Sequence, residues 1–361
     1  MGAMKTIDTV KKSWASRLGL LLSLVLASCS SYGPQTVERD RMDYGMSIHM
    51  SLKQQLLANI VRLRYVEAPL FVDVSSVINQ YVLAGHVNAG LGFNNSFNSG
   101  DTGQVGAGGR WEDRPTITYA PISGRKFSES LLTPVPPEAL FALVQSGWPA
   151  DLMFRLTVTA MNGIEDANSG KQADPRFREL LKAWSRLRDE RVVGLRRAKA
   201  GTDEESHIVV YINEVNVSDQ TLADLDFVRN TLQLDPNEDE FSLLYGLTPD
   251  KPDEIAMLTQ SILDMMNNLA GEIDVPPEHI AEGRARPTFV DEGLGGPLFR
   301  VHSSKEKPEE SFVAIQNRGY WFYIDDRDMV TKRTFGVLQI LMSLTDAGET
   351  ARGPVVSIGG G

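Results

Sequence analysis

The feature that most constrains the fold of this chain is the alternation of apolar and polar residues over positions 77–94. A period of two is typical of a β-strand, because successive side chains point to opposite faces. Residues 94–109 are rich in Gly, Asn and Ser, which favour turns, and residues 115–120 can form a returning strand. The pattern therefore predicts a long, glycine-rich β-hairpin with a flexible tip.

The rest of the chain mixes helical and strand periods without a regular order. Apolar residues recur at helical spacing in the segments predicted as helices, which are residues 50–66, 136–146, 174–191, 218–232, 259–270 and 331–344. Shorter runs predict strands at residues 70–74, 154–160, 192–195, 207–212, 240–245, 298–302, 312–316, 320–324 and 355–358. Because hairpins recur and no strict βαβ order is present, we predict an α+β fold of mostly antiparallel sheets with packed amphipathic helices.

The composition is that of a folded protein, with 361 residues of which 42% are hydrophobic and 23% are charged. This length predicts two domains or one large one, at about 100–200 residues per domain. We place an N-terminal α/β region with the hairpin at residues 49–170 and a C-terminal α+β region at residues 171–361. A formal net charge of −11 argues against nucleic acid as a partner, because no basic field is present to neutralise phosphates.

The N-terminal residues follow the order of a signal peptide. Four basic residues between positions 5 and 17 precede an apolar run at residues 18–26, and small residues then lead to Cys29. The apolar run is too short to cross a bilayer, which needs about 20 apolar residues. Cys29 is the single cysteine of the chain, so an intrachain disulfide, a cysteine-rich zinc site and a CxxC redox pair are excluded.

The residues Leu26-Ala27-Ser28-Cys29 resemble the lipobox of bacterial lipoproteins. The resemblance covers residues 1–29 and implies cleavage before Cys29, a diacylglycerol on its sulfur and acylation of the new amino group. Ser30, where an Asp could stand, favours sorting to the outer membrane in enterobacteria-like systems. Several acyl chains on one residue anchor a protein firmly. A plain secretory peptide with an incidental cysteine is the alternative.

On this interpretation residues 1–28 are a cleaved signal peptide and residues 29–48 are a lipidated tether. Cleavage removes four basic residues and one acidic residue, so the formal charge changes from −11 to −14. An acidic body has no attraction to anionic lipid beyond its anchor. The expected location is the outer membrane, with acylated Cys29 in the lipid and the body in the periplasm, where the mature chain has no second thiol to oxidise.

Motifs of known catalytic sites are absent from the sequence or incomplete. There is no GxSxG nucleophile elbow, and Ser123-Gly124-Arg125-Lys126 matches S-x-x-K without the partner motifs of penicillin-binding proteins. The five histidines, at positions 49, 86, 207, 279 and 302, lack metal-site spacing. The glycines of residues 100–109 lack the lysine and the following helix of a phosphate-binding loop. We predict no cofactor and no metal, and whether the chain is an enzyme is left open.

The densest polar cluster is Asp325, Asp326 and Asp328, directly after the aromatic run at residues 320–323. Carboxylates at a strand end beside aromatic rings could bind a sugar or a hard cation, so these three residues are the candidate catalytic residues. The alternative is structural. Asp328 could cap the following helix, while Asp325 and Asp326 lie in the connecting turn and favour the helix N-terminus by their charge.

The hairpin admits a second functional hypothesis. A transmembrane β-strand needs about 9–11 residues with alternating faces, and residues 77–94 meet this requirement. One hairpin cannot close a barrel, so residues 76–120 would have to combine in a ring of subunits. Such an architecture resembles that of lipoproteins of the curli secretion channel type. The charged residues 112–114 and Pro115 on the returning strand favour an ordinary hairpin instead.

Residues 115–119, 132–148 and 320–335 resemble uncharacterised outer-membrane lipoproteins of Gram-negative bacteria, and this resemblance would cover most of the mature chain without implying an activity. We therefore predict a lipid-anchored lipoprotein that serves as a binding, scaffold or assembly component of the cell envelope. Its expected partners are outer-membrane lipid and other envelope proteins, and a homo-oligomer is left open. The alternatives are an oligomeric export pore built from residues 76–120 and an envelope carbohydrate hydrolase that uses residues 325–328.

Overall fold

The computed structural model describes residues 32–78, 81–92, 102–113, 116–166, 174–199, 206–215, 217–289 and 296–346. The predicted signal peptide, Cys29 and the predicted last strand at residues 355–358 lie outside these ranges. The chain divides into an N-terminal unit, residues 1–53, and a much larger unit, residues 54–361.

The described residues form an α+β fold, as the sequence predicts. The helices are α1 Tyr32–Arg64, α2 Gly124–Phe127 with a π-helical continuation Ser128–Leu132, α3 Pro137–Gln145, α4 Ala150–Thr157, α5 Pro175–Asp189, α6 Asp219–Leu232, α7 Ile262–Ala270, α8 Pro277–Ala281 and α9 Met329–Asp346. The strands are β1 Val72–Ile78, β2 Tyr81–Gly92, β3 Thr102–Asp113, β4 Thr116–Pro121, β5 Val158–Met161, β6 Ile164–Glu165, β7 Val193–Lys199, β8 Ser206–Ile212, β9 Glu240–Tyr245, β10 Glu254–Thr259, β11 His302–Ser304, β12 Val313–Asn317 and β13 Tyr320–Ile324.

A six-stranded sheet in the order β6-β5-β10-β9-β8-β7 forms the centre of the large unit. Its strand pairs are antiparallel except for β9 and β10, which run parallel. The predicted predominance of antiparallel pairing is thus confirmed. The sheet combines strands from before and after residue 170, where the sequence places its domain boundary.

Helix α5 shows how the apolar stripes of the sequence become core. The carboxylate of Asp174 accepts a hydrogen bond from the N–H of Arg176, and Pro175 occupies the first turn. These two residues fix the start of the helix at Pro175. Its apolar stripe, Phe177, Leu180, Leu181, Trp184 and Leu187, is buried. On the other side, Arg186 forms two 2.6 Å hydrogen bonds with Asp224 of α6, which fixes the two helices together.

The C-terminal sheet has the order β11-β13-β12, and the strands predicted at residues 312–316 and 320–324 form its hairpin. Arg318 and Gly319 form its two-residue turn with positive φ angles of 50° and 84°, and glycine adopts that conformation without strain. Phe322 and Ile324 of β13 are fully buried, as is Phe335 of α9. This hairpin is therefore part of the hydrophobic core.

Strand β1 pairs with β4 and strand β2 with β3, which is the pairing expected of the predicted long hairpin. Ile78 pairs with Thr116, and Tyr81, three residues further on, pairs with Asp113, three residues further back. The described parts of the two ladders from Val77 to Gly92 therefore have the same register. We use the name ribbon for the described residues of Val72–Pro121, and call β1 with β2 its first limb and β3 with β4 its second limb.

Two amide side chains of α1 hold the segment Leu70–Val72, at the start of the first limb, which we call the root of the ribbon. Gln55 donates to the carbonyl of Val72 at 3.1 Å and accepts from its N–H at 2.6 Å. Asn59, one helical turn later and buried, makes the same pair of bonds with Leu70 at 2.9 and 2.8 Å. The two amides thus satisfy alternate backbone groups of an incoming strand, as a neighbouring strand would.

Four predicted segments are wrong. Residues 298–301 form no strand, because the N–H groups of Phe299 and Arg300 donate to the side chains of Glu272 and Thr331, and β11 begins at His302. Strand β3 begins at Thr102, inside the stretch expected to be the tip, because the glycines there are paired across the ribbon rather than placed in a turn. Residues 154–157 belong to helix α4, which is buried on most sides and so lacks a clean apolar stripe. Helix α1 begins at Tyr32 and includes part of the segment expected to be an irregular tether.

Candidate functional site

The three candidate carboxylates lie in the loop from β13 to α9, and local hydrogen bonds hold each of them. Asp328 accepts from the N–H groups of Val330 and Thr331, both at 3.1 Å, and from the Thr331 hydroxyl at 2.7 Å. This geometry confirms the predicted helix cap. Asp325 accepts from the N–H of Arg327 at 2.8 Å, and Asp326 pairs with the ammonium group of Lys332 at 2.8 Å.

The cap also positions a second segment. The hydroxyl of Thr331, which donates to Asp328, accepts a hydrogen bond from the N–H of Arg300 at 2.8 Å. Within the described ranges, no group of three or more His, Cys, Asp or Glu side chains could hold a metal ion. The contacts of the acidic cluster are therefore those of turn and cap chemistry rather than of cation binding.

Asp325 and Asp328 nevertheless line a cleft of about 760 Å³ between α4, the segment before β11 and the start of α9. Its charged lining consists of four arginines, Arg155, Arg300, Arg327 and Arg333, and three aspartates, of which Asp151 is the third. Because 145 residues separate Arg155 from Arg300 in the sequence, no local motif predicts this cluster. The two candidate carboxylates thus share a cleft with guanidinium groups that the sequence does not place near them.

The four arginines differ in how they are paired. Arg155 donates to the carbonyl of Gly296 at 2.9 Å, while its Nε atom is buried without a hydrogen-bond partner. Arg327 pairs with Glu310 at 3.0 Å through two exposed side chains. The side chains of Arg300 and Arg333 are exposed and form no ion pair with any described residue. The cleft therefore has hydrogen-bond donors without an acceptor among the residues that the structure describes.

The contacts of His279 are structural. The Nδ1 atom of buried His279 lies 2.7 Å from the hydroxyl of Tyr65, and burial raises the pKa of that hydroxyl. Tyr320, whose ring packs edge-on against His279, donates to Glu278 and thereby lowers the pKa of this carboxyl. These contacts brace α8 against β13 and the end of α1 rather than form a reactive pair.

The ribbon is a second candidate site, because its register separates apolar from polar positions. By backbone register, one set of positions holds the apolar residues Val77, Tyr81, Leu83, Val87, Ala89, Leu91, Val105, Ala107, Trp111, Ile117 and Tyr119. Asp113, paired with Tyr81, is the charged exception in that set. The alternate positions pair polar residues with glycines or with apolar residues, namely His86 with Gly108, Asn88 with Gly106, Gln104 with Gly90, Thr102 with Gly92, Glu112 with Val82, Arg110 with Ala84 and Thr116 with Ile78. The ribbon is therefore amphipathic over most of its length.

A β-bulge extends the apolar face to the root. The register shifts between Val74 and Ser76, so that Val74 pairs with Tyr119 and Val72 pairs with Pro121. Val74 and Val77 are an odd number of positions apart and would lie on opposite faces of a regular strand. The extra residue returns Val72 and Val74 to the apolar face.

Both edges of the ribbon and part of its apolar face are uncovered. Each of its two ladders contains only two strands, so neither limb has a second partner strand among the residues that the structure describes. All residues of β4 are exposed, including Ile117 at 39% and Tyr119 at 60%. Unpaired backbone edges and exposed apolar side chains together mark a surface that can associate.

The predicted lipidation site and the comparisons add no further residues. Cys29 lies outside the described residues. Among the helices described, none combines the length and the apolar character that crossing a bilayer requires. No family model matches the sequence, and neither the curated proteins nor the solved structures contain a significant match.

Proposed function

We propose that this chain is a lipid-anchored outer-membrane lipoprotein whose body faces the periplasm and which serves as an assembly component of the cell envelope. The lipobox-like residues that end at Cys29 support the anchor and the location. The ribbon supports the assembly role, and the observation that carries this role is the apolar face that the bulge at Ser75 keeps in phase along both limbs.

An extended ribbon of this kind needs a partner. Two-stranded hairpins are at best marginally stable in water, and three or more strands or a packed face are usually required. The second limb offers neither, because every residue of β4 is exposed. A partner that adds strands at the edges and covers Ile117 and Tyr119 would supply both.

The partner that fits both edges is another copy of this chain. The first limb of one copy can pair with the second limb of the next, since the two limbs already pair in an antiparallel register within each copy. Such head-to-tail pairing closes into a ring when the rotation between copies allows it. The apolar faces of neighbouring ribbons would then join into one band.

The test compares two double variants on adjacent positions of β4. Ile117→Asp with Tyr119→Asp places charges on the apolar face, whereas Thr116→Asp with Thr118→Asp places the same charges on the polar face. All four positions are exposed, so neither variant disturbs the core. We expect the detergent-extracted wild type and the polar-face variant to be oligomers, and the apolar-face variant to be a monomer, by native mass spectrometry. A monomeric wild type, or two variants with equal mass, would contradict the proposal.

An export pore is the second candidate function, and the length of the paired strands favours it. Strands β2 and β3 have 12 residues each, which exceeds the 9–11 residues that a tilted transmembrane strand needs. At about 3.4 Å per residue, they reach about 40 Å. The same two variants test this candidate in planar bilayers, where conductance is expected for the wild type and the polar-face variant. An oligomer without conductance would leave the assembly role and remove the pore.

A further inference from the structure

We propose that the cleft between α4, the segment before β11 and the start of α9 binds an acidic sugar, that is, a sugar bearing a phosphate or a carboxylate group. This inference goes beyond the assembly role and does not depend on it, because the cleft and the ribbon share no residue.

The arginines of the cleft favour an anion. Four guanidinium groups and three carboxylates line the cleft, in a chain whose formal net charge is −11. Guanidinium groups bind phosphate and carboxylate oxygens with strong, often bidentate hydrogen bonds. The pairing of Asp325 with the Arg327 N–H and of Asp328 with the α9 N-terminus leaves these carboxylates partly compensated within the chain.

Several arginine N–H donors at the cleft have no acceptor among the described residues. Arg300 and Arg333 have no ion pair in the described part of the chain, although both line the cleft. The Nε atom of Arg155 is buried without a partner, an arrangement that is destabilising unless a ligand or a water supplies an oxygen. An anionic group held among these three arginines would supply acceptors to donors that have none among the described residues.

The start of helix α4 adds donors of the same kind. Pro149 precedes the helix and provides no side-chain cap, so the first N–H groups of the helix have no acceptor among the described residues. Pro149, Asp151 and Leu152 all line the cleft. Free N–H groups at a helix N-terminus favour an anion, and residues of this first turn line the same cleft as the arginines.

The remaining lining distinguishes an acidic sugar from a simple ion. The carboxylate of Asp151 is exposed, lines the cleft and has no hydrogen-bond partner in the described structure, so it can accept from sugar hydroxyls. A volume of about 760 Å³ is much larger than a phosphate ion requires and falls in the range of small-molecule sites. The arginines would hold the acidic group, while Asp151 would orient the ring.

The binding test uses the full chain and four probes of related structure. Isothermal titration calorimetry with glucose 6-phosphate, glucuronic acid, glucose and inorganic phosphate separates the phosphate source, the carboxylate source and the neutral ring. We expect at least one of the two acidic sugars to bind at least about tenfold more tightly than glucose and than inorganic phosphate. Glucose bound as tightly as both acidic sugars, or no binding of either acidic sugar, would overturn the proposal.

Matched arginine variants assign the binding to this cleft. Arg300→Gln with Arg333→Gln removes the two unpaired guanidinium groups, and Arg197→Gln removes an exposed arginine of β7 that does not line the cleft. All three side chains are exposed, so the fold should tolerate their replacement. We expect the double variant to bind the acidic sugar at least about tenfold more weakly and Arg197→Gln to bind it as the wild type does. Equal affinity in the double variant and the wild type would place the ligand elsewhere.

Discussion

The C-terminal hairpin and the ribbon are both antiparallel strand pairs, but different surroundings hold them. Strands β12 and β13 are joined by a two-residue turn, gain β11 as a third strand and bury Phe322 and Ile324 in the core. Each of the two described ladders of the ribbon has two strands, and its second limb is exposed from Thr116 to Pro121. One hairpin is thus completed within the chain, whereas the other is not.

This difference indicates which surface the chain uses for stability and which for association. Burial of apolar side chains stabilises the C-terminal hairpin without any partner. The ribbon has the same alternating pattern, yet Tyr119 and Ile117 remain exposed. An apolar face and two strand edges that no described residue covers are suited to a partner that adds strands.

The largest expected effect is a difference in the free energy of unfolding between a variant of the C-terminal hairpin and a variant of the ribbon. Phe322→Ala removes a fully buried ring and should lower the free energy of unfolding by about 3–5 kcal/mol. Tyr119→Ala removes a ring that is 60% exposed and should change it by less than about 0.5 kcal/mol in the monomer. Urea unfolding of both variants, followed by circular dichroism, makes the comparison. Equal losses would show that the ribbon is part of the core.

A smaller loss of stability is expected at the root of the ribbon, where its first limb contacts helix α1. Asn59→Ala leaves the N–H and the carbonyl of Leu70 without their side-chain partner and should cost about 1–3 kcal/mol. Hydrogen exchange at the Leu70 amide should accelerate in parallel. Gln54→Ala is the control, because Gln54 is exposed on the same helix. If the control and Asn59→Ala behave alike, the amide pair does not hold the root.

The smallest expected effect is a pH-dependent change in stability that involves helices α5 and α6 and not the ribbon. Arg186 lowers the pKa of Asp224 by hydrogen bonding to its carboxylate. A depressed pKa in the folded state contributes stability above the unfolded pKa of about 3.9, and this contribution is lost as the pH falls through the folded pKa. Because Arg186 is half exposed, the contribution should not exceed about 1 kcal/mol. Urea unfolding between pH 7 and pH 3 should show a flatter acid limb for Asp224→Asn than for the wild type, and identical limbs would refute this role.

Local signals predicted the fold well where one residue type decides the structure. Asp174 and Ser218 cap the helices that follow them, and Arg318-Gly319 closes the predicted hairpin, because each of these features depends on a few adjacent residues. The α+β class follows from the same local periods. The cap formed by Asp328 is one of the two interpretations that the sequence offers for the acidic cluster.

Features that depend on pairing across the chain could not be predicted in this way. Strand β3 is rich in glycine, and only its register against β2 shows that its glycines face larger residues such as His86 and Asn88. The pairing of Asn59 with Leu70 is specified by how the helix meets the strand. Arg155, Arg300 and Arg333 come together only after α4 and α9 pack, so their sequence spacing contains no signal.

The most direct test of the account asks whether ribbons of separate copies lie side by side. Two differently tagged copies, one with Asn88→Cys and the other with Gly106→Cys, are coexpressed and treated in membranes with a short bifunctional thiol reagent. Asn88 is exposed, and a side chain at Gly106 would meet no other atom within 4 Å. The account predicts a crosslinked product that contains both tags. Wild-type copies, and copies with Asp250→Cys and Glu282→Cys on the body, should give none. A mixed product from the body pair but not from the ribbon pair would contradict assembly through the ribbon.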